Sequence, residues 1–415
     1  MRPAREIRPS IPDAPELRLL LYCARSGLDR ETAQQSRLLI QKNLDWTCVI
    51  TTALRHRVTP LLYRNIRSLG EGAIPAVVLG LFKDRCLAIA GRNLLLAKEL
   101  CRLLEVLRVH SIQAIPYKGP ALAVAIYGAL ALREFGDMDI LVRDRDYHRA
   151  QDCLRAEGYR LADSYEWEST FVRGGGMIAV DLHNRFTSPW FRCGLTFEKL
   201  SSRLVPVQLG DTKISTLSPV DTLLMLAIQI AKDAGGPYFE LAKICDVAVL
   251  LQSCPNLDLS EVLRQAKVEG IARILLLSLQ LSSNLLGIVP PPEFANHMPS
   301  DATFEELVEW AQQQLFEHHD RSLDYAGINR FQWLVRERIQ DKFYPYLYRL
   351  GRNCEGARDA SRLPGPLPWL YYFVQPVRLC WKYRRLVPIG KSRSGRRRGP
   401  RVERTALSTA SRHEP

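Results

Sequence analysis

The stretch from Ile112 to Val142, IQAIPYKGPALAVAIYGALALREFGDMDILV, constrains the fold more than any other part of the chain. Its order of residue types predicts strand, turn, helix, strand. Ile112 to Tyr117 is a short apolar run, and Lys118-Gly119-Pro120 breaks it. Pro120 suits the first turn of a helix, where a missing N–H costs nothing. Ala121 to Tyr127 has helical composition, and Asp137 to Val142 alternates before turning wholly apolar. Residues two apart on a strand face one side, so Asp137 and Asp139 project together while Met138 and Ile140 point into a core. Two carboxylates held side by side repel unless a cation lies between them. Hard oxygen ligands favour Mg²⁺ or Mn²⁺, which keep positions open for substrate phosphates. The Lys118-Gly119 turn adds backbone N–H groups at a helix N-terminus, a site for phosphate. A phosphate cradle beside metal-binding carboxylates points to phosphoryl or nucleotidyl transfer.

The series Lys118-Gly119, helix, Tyr127-Gly128, Arg133 and Gly136-Asp-x-Asp-x-Leu-Val resembles the poorly characterised bacterial nucleotidyltransferases of the DNA polymerase beta superfamily. In that superfamily a Gly-Ser or similar turn precedes a helix, an Asp-x-Asp strand follows, and a later strand brings a third carboxylate. Lys118-Gly119 stands where Gly-Ser usually stands, a departure that this subfamily shares. The resemblance implies an α+β fold with a small mixed sheet between helical regions. It implies Asp137, Asp139 and Asp181 as the metal-binding and catalytic carboxylates, the last from Met177-Ile-Ala-Val-Asp-Leu-His183. It also implies Mg²⁺ (or Mn²⁺) as cofactor and an NTP as substrate, with Lys118, Gly119 and Arg133 on the phosphates. The acceptor it suggests is a small molecule, sugar or peptide.

The 415 residues allow two or three domains and a sizeable core. Apolar content of 47% with 24% charged residues is ordinary for a globular protein. Ten scattered cysteines without a C-x-x-C pair point to a reducing cytoplasm. The opening MRPAREIRPSIPDAPE has no apolar run of a signal peptide. Ile274 to Val289 is too short and too polar to span a bilayer, so no transmembrane segment is expected. The net charge of +13 is unevenly placed: ten Lys/Arg against one acid between Lys382 and Arg404 supply nine of those charges. The basic balance therefore describes a tail, not a nucleic-acid-binding body.

Residues 1–110 read as a helical region, including a long pattern from Ile74 to His110 that Gly91 is expected to kink or break. Residues 111–217 form the α/β nucleotidyltransferase domain. In it Arg173-Gly174-Gly175-Gly176 is a hairpin turn rather than a phosphate loop, and Gly210-Asp211-Thr212 turns a second hairpin. Residues 218–386 read as a helical domain and an aromatic arm, starting at Ser218 as N-cap with Pro219 and Asp221 behind it. Phe331 to Arg349 reads there as one helix. Residues 387–415 are a disordered basic tail. The arm at 363–386 either packs on the helical domain or meets an anionic membrane surface at the inner face, and the tail offers a contact for nucleic acid or anionic lipid.

Other residues carry competing readings. His183 shares the face of Asp181 and either orients the acceptor or is a hydrogen-bonded structural histidine. Arg133 either meets triphosphate or pairs with Glu134 or Asp137. His56 reads as a helix-end histidine, and Asp246 as a packing partner. Gln229 and Asp233 stand where relatives often carry histidines. Two alternative functions remain at this stage: a metal-dependent glycosyltransferase using the Asp-x-Asp pair, and a degenerate transferase that only binds a partner or nucleic acid.

Overall fold

The computed structural model describes residues 14–348, apart from residues 71, 73, 190, 290–293, 295, 317–323 and 347. The arm at 363–386, the basic tail and the proline break at 290–292 lie outside the described residues. The chain is α+β, with a five-stranded mixed sheet and a two-stranded hairpin set among helices.

Five helices lead: α1 (Pro15–Cys23), α2 (Arg30–Ile40), α3 (Trp46–Arg55), α4 (Thr59–Ser68) and α5 (Ala76–Val109). Asp29 and Asp45 start α2 and α3 by accepting from Thr32 N, and from Thr47 N and Cys48 N, which satisfies N–H groups the helix cannot pair itself. Helix α5 runs for 34 residues, and Gly91 does not break it. Its stripe of Leu96, Leu100, Leu103 and Leu107 is buried, and that packing outweighs the roughly 1 kcal/mol cost of one helical glycine.

Strand β1 (Ala114–Pro116) leads into α6, which starts at Gly119–Leu122, widens over Ala123–Tyr127, and ends at a left-handed Gly128. Strand β2 (Met138–Val142), helix α7 (Tyr147–Ala156), β3 (Arg160–Ser164), β4 (Glu168–Arg173) and β5 (Ile178–His183) complete the main sheet, in the order β1-β2-β5-β4-β3. β2 and β5 run parallel with Asp139 opposite Asp181, and the other pairings are antiparallel. The three glycines at 174–176 all have positive φ and turn the β4–β5 hairpin, a backbone path that other residues rarely take. After α8 (Phe197–Ser201), β6 (Val205–Leu209) and β7 (Thr212–Thr216) form the separate hairpin.

Helices then resume: α9 (Pro219–Asp233), α10 (Leu241–Ser253), α11 (Leu259–Glu269), α12 (Ala272–Leu286), α13 (Ala302–Phe316) and α14 (Tyr325–Leu334). Ser218 caps α9, its hydroxyl accepting from Asp221 N at 3.1 Å. The segment expected as one helix over 331–349 instead leaves the helix after Leu334 and re-enters it at residue 339. The interruption lets Val335 and Arg336 turn inward and become buried.

The sheet separates two cores. Met138, Ile140, Val142, Val180 and Leu182 pack with Leu100 and Leu103 of α5 and Leu154 of α7. The second core joins α1, α4, α9, α10 and α12, and from the sheet it takes Ile115, Tyr117 and Leu141. Alternation along β2 and β5 therefore sends one set of side chains into a dry core. The opposite set, Asp139, Asp181 and His183, is left facing the helices.

Candidate active site

A cavity of about 550 Å³ lies on that second face, between the sheet and the helices that follow it. β2 and its preceding loop supply Asp139 and Asp137, β5 supplies Asp181 and His183, and β4 supplies Glu168. Asp139 and Asp181 are register partners on neighbouring strands, so their side chains emerge side by side on one face. Asp137 precedes the strand by one residue and opens into the same cavity.

The turn before α6 is locked to this group. Gly119 has φ +54°, and an added Cβ would stand 2.5 Å from the Asp137 carbonyl oxygen. Only glycine allows that approach and that backbone angle together. Lys118 Nζ donates to Asp139 Oδ1 at 2.7 Å and lies 5.1 Å from the centre of the Tyr117 ring. His183 Nε2 stands 3.4 Å from the same Asp139 oxygen, outside hydrogen-bond geometry, and its Nδ1 is 3.6 Å from Glu168 Oε2.

These contacts divide the three carboxylates. Burial would raise Asp139, but the Lys118 ammonium and His183 outweigh it and hold Asp139 well below the usual carboxylate range. Asp137 is pushed up by burial and then by the Asp139 charge. Asp181 is pushed up to about 7, first by burial and then by Asp139 and Asp137, against the hydrogen bond that Thr170 Oγ1 donates to it at 2.7 Å. A carboxylate near 7 is suited to take a proton at physiological pH.

Arg133 lines the cavity, but its guanidinium is paired with Asp246 of α10. Its Nη2 is 3.0 Å from Oδ2 and its Nε 3.0 Å from Oδ1, and the Tyr127 hydroxyl donates to Oδ1 at 2.8 Å. Glu134 pairs with Arg85 of α5. On the far wall Arg57 Nε pairs with Glu240 at 3.1 Å, and Lys243 pairs with Asp233. Arg57 takes φ 53°, a left-handed position that costs roughly 1 kcal/mol for a residue with a Cβ. Its neighbour His56 fixes the place, accepting from Leu241 N at Nδ1 (3.3 Å) and from Ala242 N at its carbonyl (3.2 Å). The end of α3 is thereby tied to the start of α10.

A family model described as an uncharacterised nucleotidyltransferase matches residues 42–287. The chain belongs to that family. No curated protein and no solved structure matches it. The matched span of this nucleotidyltransferase family covers both sides of the cavity, from Arg57 through the sheet to Asp246.

The carboxylates of the cavity suit a hard divalent cation: they offer mutually repelling oxygen donors, Asp139 and Asp181 from one face of two adjacent strands and Asp137 from the loop before them. Among the described residues no three His, Cys, Asp or Glu side chains are drawn together as a metal centre, and the nearest cation to Asp139 is the Lys118 ammonium. Sequence reasoning missed Glu168 and Lys232. Glu168 enters through its pairing opposite His183, which no local pattern announces. Lys232 was open to detection, since it follows Gln229 by one helical turn and so shares its face. Among the described residues it is the cavity-lining lysine or arginine without an ion-pair partner. Burial pushes it below the usual lysine range, and the Lys118 charge adds to that.

Proposed function

We propose that this nucleotidyltransferase moves an NMP from an NTP to a hydroxyl or phosphate oxygen of a small-molecule, sugar or peptide acceptor, releasing pyrophosphate. The observation that carries this reading is the in-register placement of Asp139 and Asp181, with Asp137 beside them, in a cavity edged by the Lys118-Gly119 turn. Asp137, Asp139 and Asp181 would hold Mg²⁺ or Mn²⁺. When bound, that ion supplies charge neutralisation at the α-phosphate and the leaving oxygen. Lys118, the Gly119 backbone and the unpaired Lys232 hold the triphosphate. Arg133 contributes through Asp246, fixing the wall where α6 meets α10, rather than by reaching the phosphates. Asp181 accepts the proton of the acceptor oxygen as that oxygen bonds to the α-phosphorus and the bond to pyrophosphate breaks. Glu168 and His183 flank the approach of the acceptor.

The test is transfer of label from α-³²P-NTP into an acceptor pool, together with pyrophosphate release. Asp137→Asn and Asp139→Asn each remove a charge at nearly constant volume. Both variants should keep the wild-type circular dichroism spectrum and lose turnover. Wild-type rates in either variant would sink the assignment.

A further inference from the structure

Lys118 occupies an unusual place for a phosphate ligand. Its ammonium does not point out toward solvent but rests on Asp139 Oδ1 at 2.7 Å, with its side chain 22% exposed and that of Asp139 6% exposed. The Tyr117 ring lies against it at 5.1 Å. Its charge also bears on Asp137. The lysine thus offsets the charge of Asp139 directly and that of Asp137 in part, the two aspartates from which a divalent ion would have to draw its ligands.

One carboxylate oxygen cannot serve both cations at full strength. An ammonium at hydrogen-bond distance and a divalent ion at coordination distance would stand only a few ångströms apart, and their repulsion at that range is large in a partly buried site. The lysine lines the cavity on a long stem rooted in the turn that begins α6, only its tip resting on Asp139, and the Lys232 charge on the same cavity repels it. A triphosphate held at the same turn, as in the proposed function, would offer it an alternative anionic partner.

We infer that Lys118 is the site's resident counter-cation, and that a divalent metal ion takes Asp139 only by displacing it. This rests on the proposed metal role of the aspartates. The displaced ammonium then meets the phosphates, so one side chain stabilises the carboxylates before substrate arrives and the nucleotide afterwards. Metal and nucleotide binding become linked through a lysine that has two alternative anionic partners.

The experiment is titration with Mn²⁺ alone, without nucleotide, followed by the loss of the free-ion paramagnetic resonance signal and by calorimetry. Wild type should bind Mn²⁺ weakly. Lys118→Met, with Lys118→Gln as a second variant should the first fail to fold, should bind it roughly tenfold tighter or more, as expected when a unit charge a few ångströms away is removed. Lys118→Arg keeps the charge and should stay near the wild-type affinity. Asp139→Asn should bind no better than background. If Lys118→Met and Lys118→Gln, both folded, bind Mn²⁺ no tighter than wild type, the displacement is wrong while the metal site stands. If every folded variant and the wild type match Asp139→Asn, the metal role itself falls, and the displacement with it.

Discussion

Asp246 and Asp181 are both aspartates withdrawn from water, yet their surroundings treat them in opposite ways. Asp246 is 1% exposed and is met by the Arg133 guanidinium and the Tyr127 hydroxyl. Asp181 is met by one hydroxyl and by two other carboxylates. In the first case the fold supplies a full set of donors to an anion. In the second it gathers anions, with a single hydroxyl donating to the carboxylate. Burial alone does not separate the two acids; the positive charge supplied around each of them does.

This contrast can be broken most sharply at Asp246. Removing one partner of a buried ion pair leaves the other uncompensated, which typically costs about 3–5 kcal/mol. Asp246→Ala should therefore lower the unfolding free energy by roughly that amount in a denaturant titration. The double replacement Arg133→Met with Asp246→Leu should recover most of it, because an apolar pair of similar volume is often no less stable than a buried ion pair. A double variant as unstable as the single one would show that Arg133 has a second essential contact.

Asp181→Asn should act in the opposite direction on stability while lowering activity. Burial and the neighbouring Asp139 and Asp137 charges push the folded carboxyl from the ordinary carboxylate range up to about 7, so across that interval the native state holds a proton that the unfolded chain has lost. Stability from this group is therefore full at low pH and is lost as pH rises through about 7. At pH 8 the wild type carries an unfavourable charge, and the Asn variant should melt at a higher temperature. Transfer should fall by roughly 10²–10⁴-fold, the usual worth of a general base, with nucleotide affinity changed much less. A variant both less stable and less active would place Asp181 with Asp246 as a structural acid. The smallest effect is expected at Lys232→Met. Losing one charge-assisted phosphate contact should weaken NTP binding by roughly tenfold or more, with the melting temperature maintained or raised. Unchanged affinity would remove Lys232 from the phosphate site.

Wherever a local period decides orientation, the sequence was a good guide. The alternation from Asp137 to Val142 sends Met138, Ile140 and Val142 to one core, and Ile178 and Val180 point the same way on β5. The capping of α9 by Ser218 was likewise a local matter. Partners fixed by tertiary contact were not legible. Arg133 had Glu134 and Asp137 as its candidates by proximity, whereas its carboxylate comes from a residue 113 positions later. Glu168 acquires its place only when β4 pairs with β5. The turn at Lys118 points to a phosphate ligand, but no spacing rule says that its tip folds back onto Asp139. The continuous α5 shows the same limit in a helix, since glycine's local preference was overruled by a buried leucine stripe contributed to a distant core.

The knot of contacts at His56 has a consequence for how the molecule comes into being. The floor and walls of the cavity are drawn from Arg57, from the strands, and from the start of α10, and the His56 bonds to Leu241 and Ala242 span 185 positions or more. Such distant pairings form late, because the loop must be closed before the contact rewards it. On the ribosome, a nascent chain would lay down its Lys118-Gly119 turn and the strands that carry Asp139 and Asp181 well before it could complete the pocket. Activity would emerge only after α10 has left the exit tunnel and met the end of α3.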